Sequence, residues 1–305
     1  MAYQDAFILS QGFVYLCLVG LIAVLIRHWN LVEPRFAFAF IAFLVLSPTA
    51  LSGHSTPNRH LLTMAVVCLL LITHMAVLKV VSPQRLVLHG LSVALVLLSK
   101  PPLLIPYAAF SVLFFGNTKV KVRFIALGIL LTIILSYFDF WDYLSLLSDN
   151  YAETRVMEMR LLGQGMMDIP VVGWSIKYIY AILSPFPWYR MDVFVNTILS
   201  GSYLLFLMNV ASTLTGLYFL SILLLRGRRL LRRCGEDSAL RSFVVYGLVM
   251  STTILYGATG FHVYLAIFFP LLAPMVVYKD LRVSVGIPVS IAVVANIVAW
   301  VVDAA

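Results

Sequence analysis

Residues 60–82 read HLLTMAVVCLLLITHMAVLKVVS, and from Leu61 to Leu78 there is no Asp, Glu, Lys or Arg. An α-helix rises about 1.5 Å per residue. A hydrocarbon layer about 30 Å thick is therefore crossed by about 20 apolar residues, which this stretch supplies. Working outward, comparable apolar runs stand at about 7–26, 36–52, 86–99, 103–115, 124–144, 200–225, 243–258, 262–278 and 284–302. The chain of 305 residues is 62% hydrophobic and only 11% charged. Soluble domains carry about 25% charged residues, so a water-soluble globular enzyme is excluded. Disorder, which needs low hydrophobicity and high charge, is excluded as well. The sequence predicts an all-α polytopic bundle of about ten spans, forming one membrane domain over residues 1–305.

The first apolar run has no Lys or Arg before it. A secretory signal begins with a positive segment, so this run is expected to be a retained span. Cys17, Cys68 and Cys234 are far apart with no CxxC, which supports neither a disulfide framework nor a metal site. The net charge of +8 would point to nucleic acid in a soluble protein. In a membrane protein it asks instead which side the charges occupy.

Placing the N-terminus outside and alternating gives a clear answer. Arg27, Arg35, Lys79, Arg85, Lys119, Lys121, Arg123, Arg226, Arg228, Arg229, Arg232, Arg233, Arg241, Lys279 and Arg282 fall inside, 15 of the 21 basic residues. Of the 13 acids, 9 fall outside. This is the asymmetry that the positive-inside rule expects, and it gives a working topology of ten spans with both termini outside. The alternation closes only if Lys100-Pro101-Pro102 turns the chain between two short spans, because proline cannot continue a helix there.

One long outer loop is expected at about 145–199. Its first half is polar. Its second half carries Trp174, Tyr178, Tyr180, Trp188 and Tyr189 with breaks at Pro185 and Pro187. Such aromatic segments lie in the membrane interface, so an amphipathic helix in the plane of the bilayer is expected.

Motifs of soluble catalysis are missing: there is no GxxxxGK[ST], GxGxxG followed by an acid, HExxH or GxSxG. The outer loops instead carry cations on a face that should be depleted of them. His54, Arg59 and His60 lie in one loop, Lys100 in the hairpin, Arg155, Arg160 and Arg190 in the long loop, and His262 in the turn GATGFH. Guanidinium forks match phosphate geometry, and preplaced cations stabilise a departing pyrophosphate without a metal. The bland alternatives are an interface-anchored Arg59, a turn-capping Lys100, and Glu–Arg pairing on a solvated face for Arg155 and Arg160. His74 and His89 lie mid-span, where packing against, or hydrogen bonding to, a neighbouring helix is the first expectation. The Arg226–Arg233 cluster reads as a topology signal and a contact for anionic lipid.

Three stretches together resemble the Wzy-type polysaccharide polymerases: PNRHLLTMAVVCLLL (57–71), LVLLSKPPLLIPYAAF (95–110), and the large outer loop ending in ILSPFPWYR (182–190). A later stretch, TGFHVYLAIFFPLLAP (259–274), is similar to the RYxxPxxP-type span of lipid-dependent sugar transferases, with His262 and Tyr264 where Arg-Tyr often stands. The likeness is architectural. It implies an O-antigen or capsule polymerase acting on undecaprenyl-pyrophosphate-linked oligosaccharide at the periplasmic face, with no cofactor, metal or nucleic acid. Membrane lipids are implied partners, and a chain-length regulator is left open. In that frame Arg59, Lys100, Arg155, Arg160 and Arg190 hold pyrophosphate, His262 and Glu153 serve as catalytic base candidates, and Trp174, Trp188 and Tyr189 contact sugar or lipid. Three other readings stay open: a polyprenyl-phosphate-sugar-dependent glycosyltransferase, a lipid-linked glycan transporter, and a structural or assembly subunit.

Overall fold

The structure is a computed structural model that describes residues 2–46, 60–99, 203–257 and 269–304, together with Leu103, Leu104, Tyr107, Ala108, Ser111 and Trp188. Among the described residues the fold is all-helical. In chain order the helices are α1 (Ala2–His28), α2 (Pro34–Leu46), α3 (His60–Lys79), α4 (Pro83–Ser99), α5 (Tyr203–Glu236), α6 (Ser238–Gly257), α7 (Phe269–Val277) and α8 (Gly286–Ala304), with a 3-10 turn at Lys279–Leu281.

Four stretches are long and apolar enough to cross a membrane: Leu9–His28, Leu61–Lys79, Phe206–Glu236 and Lys279–Val298. Pro34–Leu46, Pro83–Ser99 and Ser238–Val249 are shorter apolar helices. The expected spans at 103–115 and 124–144, and the outer loop at 145–199, lie outside the described residues apart from the few placed singly.

α3 is the central element. Every side chain from Thr63 to Ala76 is buried, which is why its sequence is apolar all round rather than amphipathic. α4 folds back along it, α1 packs on its other side, and α2 lies against α7. The outer helices show the opposite pattern. On α1, Tyr15, Val19, Ile22 and Ile26 are buried, while Leu9, Phe13, Leu16 and Val24 are exposed. Large apolar side chains also face outward along α8, from Val289 to Val301. In water such faces would be an aggregation liability; in a bilayer they meet lipid tails. Helix association there rests on close packing and hydrogen bonds rather than hydrophobic transfer. One such bond joins α1 to α2, where the Tyr15 phenol donates to the Leu44 carbonyl.

α1 ends in a built stop. Asn30 has φ 46°, its N–H bonds the Arg27 carbonyl, and the Leu31 N–H bonds the Ile26 carbonyl. This is the Schellman pattern, with Asn supplying the left-handed residue and the buried pair Leu31–Ile26 supplying its apolar contact.

Sequence periodicity places the end of the span at about 225, but α5 continues to Glu236. Its 34 residues cover about 51 Å, well beyond a core about 30 Å thick. Arginine is a good helix former. Leu230 and Cys234 stay buried while Arg228, Arg229 and Arg232 are exposed. Arg228, Arg229 and Arg232 thus form the solvent-facing arc of a helix longer than the bilayer core is thick.

Candidate functional site

The clearest convergence of polar chemistry lies inside the bundle. His74 of α3 and His89 of α4 sit about 8–9 Å along the axis from the helix ends Lys79 and Pro83. Their rings are 5.6 Å apart, centre to centre. Tyr107 lies between them, its Oη 2.6 Å from His74 Nδ1 and 3.0 Å from His89 Nε2. The other ring nitrogen of His89, Nδ1, is 3.1 Å from Thr73 Oγ1. Thr73 Oγ1 is also within reach of the Leu69 and Leu70 carbonyls, at 3.0 and 3.1 Å, and of Ser92 Oγ at 3.2 Å. Ser92 in turn donates to the Leu88 carbonyl at 2.8 Å. Thr73, Ser92, both ring nitrogens of His89 and the Tyr107 hydroxyl thus find partners within the cluster, as polar groups in a membrane must. Tyr246 of α6 closes the cluster, its ring edge-on to Tyr107 at 6.1 Å.

A second cluster fixes one end of the bundle. Lys79 Nζ donates to the Asn30 carbonyl at 2.6 Å. Arg85 donates to the Ala76 carbonyl at 2.6 Å and lies 5.2 Å over the Trp29 ring. Arg233 Nε donates to Asp280 Oδ2 at 3.1 Å and its guanidinium lies 5.2 Å from the Tyr278 ring. Tyr278 Oη donates to Asp237 Oδ2 at 2.7 Å. Burial, and then the Asp237 carboxylate that accepts its hydrogen bond, hold the Tyr278 phenol proton above the ordinary tyrosine range. The ends of α1, α3, α5 and α7 and the beginnings of α2, α4 and α6 therefore meet at one basic end. A cleft of about 730 Å³ opens there between Glu33, Lys79, Asp237 and Arg241. Its charges of both signs select neither an anion nor a cation.

Of the residues to which the polymerase resemblance gives a role, Trp188 is described. It is half-buried and packs against the second apolar core, which includes Phe36, Leu217, Phe219 and Met275. Arg59, Lys100, Glu153, Arg155, Arg160, Trp174, Tyr189, Arg190 and His262 lie outside the described residues. His74 and His89 do hydrogen-bond across helices, as their mid-span positions lead one to expect. Sequence reasoning did not join them to Thr73, Ser92 and Tyr107. A signal was present: folding α3 and α4 back on each other about Val81 sets Thr73 level with His89. No such pairing marks Tyr107.

No family model, no curated protein and no solved structure matches this chain.

Proposed function

We propose that the chain is a polytopic glycosyltransferase of the polysaccharide-polymerase type, joining undecaprenyl-pyrophosphate-linked oligosaccharides at the outer face of a bacterial inner membrane. The observation that carries the reading is the partition of charge. Lys79, Arg85, Arg233 and Arg241 belong to the basic end of the bundle, where alternation puts the inner face. Arg59, Lys100, Arg155, Arg160, Arg190 and His262 belong to segments that alternation assigns to the opposite face, against the usual depletion of cations there. A diphosphate head group at that surface accounts for them.

In this reading Arg59 and Lys100, with Arg155, Arg160 and Arg190, bind the donor pyrophosphate. A hydroxyl of the acceptor sugar attacks the anomeric carbon, the bond from that carbon to the pyrophosphate oxygen breaks, and the cations stabilise the charge left behind. His262 or Glu153 takes the hydroxyl proton. Trp174, Trp188 and Tyr189 offer flat apolar faces to sugar rings or lipid.

The test is glycan profiling in a strain deleted for the gene, by gel ladder and mass spectrometry of lipid-linked intermediates. Loss of the ladder with complete single units at the outer face supports polymerisation. Units lacking one sugar favour the polyprenyl-phosphate-sugar-dependent transferase. Complete units held at the inner face favour the transporter, and an unchanged profile removes all three. Full complementation by Arg59→Ala at normal membrane abundance would sink the cationic site.

A further inference from the structure

We propose that the chain of side chains Thr73–His89–Tyr107–His74 is an intramembrane proton-binding site, in which one proton taken up at His89 is shared through Tyr107 with His74. The inference stands on the interior of the bundle and is independent of the glycosyl-transfer reading.

The argument begins with the hydrogens. A neutral imidazole has one N–H, whereas an imidazolium has two and needs two acceptors. His89 is flanked by two oxygens, Thr73 Oγ1 at Nδ1 and Tyr107 Oη at Nε2. Each hydroxyl can accept because its own hydrogen has another place to go. Thr73 can donate to the Leu69 or Leu70 carbonyl, and Tyr107 can donate to His74 Nδ1. The protonated ring therefore loses no hydrogen bond. A site built only for a neutral histidine needs an acceptor on one side and a donor on the other. The surroundings of His89 also hold its charged form without rearrangement.

The same contacts let the charge move. With His89 carrying both hydrogens, the Nε2–H bond breaks as an Oη–H bond forms at Tyr107. The hydrogen already on Oη passes to His74 Nδ1. His89 is left neutral with its hydrogen on Nδ1, Tyr107 stays a neutral phenol, and His74 becomes the imidazolium. The proton comes from solvent water, and its charge is conserved at each step. With the rings 5.6 Å apart, two like charges would repel strongly, so the pair holds one proton and titrates as a unit.

The groups around the pair do not supply a competing charge. α3 contributes Thr73 and α4 contributes Ser92, and Tyr246 of α6 lies against Tyr107. Tyr107 adds Ser111, whose hydroxyl donates back to the Tyr107 carbonyl at 2.8 Å. Among the described residues, no carboxylate or cation acts on His89, and the charge interaction acting on His74 is with His89. Ionisable groups at such depth are costly and mark proton pathways or binding sites. A purely packing role would be met by apolar side chains at less cost.

The test is 15N NMR of the imidazoles in the full-length protein in lipid nanodiscs, followed from about pH 4 to pH 9 across the ordinary histidine range. The signals are assigned by their loss in His74→Gln and His89→Gln. The expected result is that both rings respond over one common titration. Tyr107→Phe should abolish the common midpoint and leave two separate responses. Thr73→Val should move the common midpoint and lower the share of the proton seen at His89 relative to His74, and Thr73→Ser should restore both. The proposal is overturned if both rings keep one tautomer throughout, or if they titrate separately in the unaltered protein. Should Tyr107→Phe not fold, the Thr73 pair decides: an unchanged His89 response in Thr73→Val is equally fatal.

Discussion

Tyr107 Oη stands 2.6 Å from His74 Nδ1, and the same oxygen is 3.0 Å from His89 Nε2. One hydroxyl hydrogen serves two rings, so the phenol donates to one and accepts from the other. Tyr107 thereby ties its own segment to both α3 and α4. Replacing it by Phe keeps the ring and its edge-on contact with Tyr246 but withdraws a partner from the buried His74 and the half-buried His89. The expected loss is about 1–3 kcal/mol of stability, the usual penalty for stripping a buried polar group of its bond. Unfolding in mixed micelles checks it. His74→Leu in the Tyr107→Phe background should cost less than the two changes added separately, because the orphaned nitrogen disappears.

Asn30 offers a cleaner test of backbone geometry. Its φ of 46° lies where Cβ-bearing residues are strained and where Gly and Asn are tolerated. Asn30→Gly is expected to be neutral within a few tenths of a kcal/mol. Asn30→Ala should cost about 1 kcal/mol, while the Lys79 bond to the residue 30 carbonyl remains available in both. Equal stabilities for the two variants would mean that the Schellman stop after His28 does not constrain the chain.

The orientation argued from charge makes a prediction that needs no activity. Cysteines can be placed singly at Lys279, exposed at the basic end, and at Ser55, in the segment between α2 and α3, after Cys17, Cys68 and Cys234 have been replaced. A membrane-impermeant maleimide applied to spheroplasts should label Ser55→Cys at once. Lys279→Cys should label only after permeabilisation. The reverse pattern would invert the topology and move Arg59 and His262 to the inner face.

How much of this was legible beforehand depends on the kind of signal. The existence of α1, α3, α5 and α8 followed from hydropathy, because crossing lipid leaves no choice of backbone state. Charge asymmetry implied that Lys79, Arg85 and the Arg226–Arg233 cluster share one end, and the described helices do meet at one end. The reach of α5 to Glu236 was missed, because a hydropathy window stops where arginines begin although helix propensity does not. The His74–Tyr107–His89 cluster was missed for another reason. Three residues from three segments meet only through tertiary packing, and the spacing of 18 residues between His89 and Tyr107 carries no periodic signature. The outer-face cations rest on sequence, and their test is chemical.

Asp237 joins two elements at the basic end, and the two roles can be separated. Its Oδ1 accepts the Ala239 and Leu240 N–H groups at 2.8 and 3.0 Å, which makes it the N-cap of α6. Its Oδ2 accepts the Tyr278 phenol at 2.7 Å. Asp237→Ala removes both and should cost about 1–2 kcal/mol. Asp237→Ser keeps a cap but cannot reach in both directions, so it should recover the capping share alone. Tyr278→Phe should lose only the remaining share, and in the Asp237→Ser background it should change little. The pH dependence has a definite sign. The Tyr278 proton is held more tightly in the folded protein than in the unfolded chain. The contribution of this bond is therefore whole below the ordinary tyrosine range and fades as pH rises through the raised folded-state range. Unfolding midpoints of the native protein and Tyr278→Phe should converge as pH is raised above about 10. A gap that stays constant would show that the phenol contributes by packing against Phe36 and Arg233 and not through Asp237.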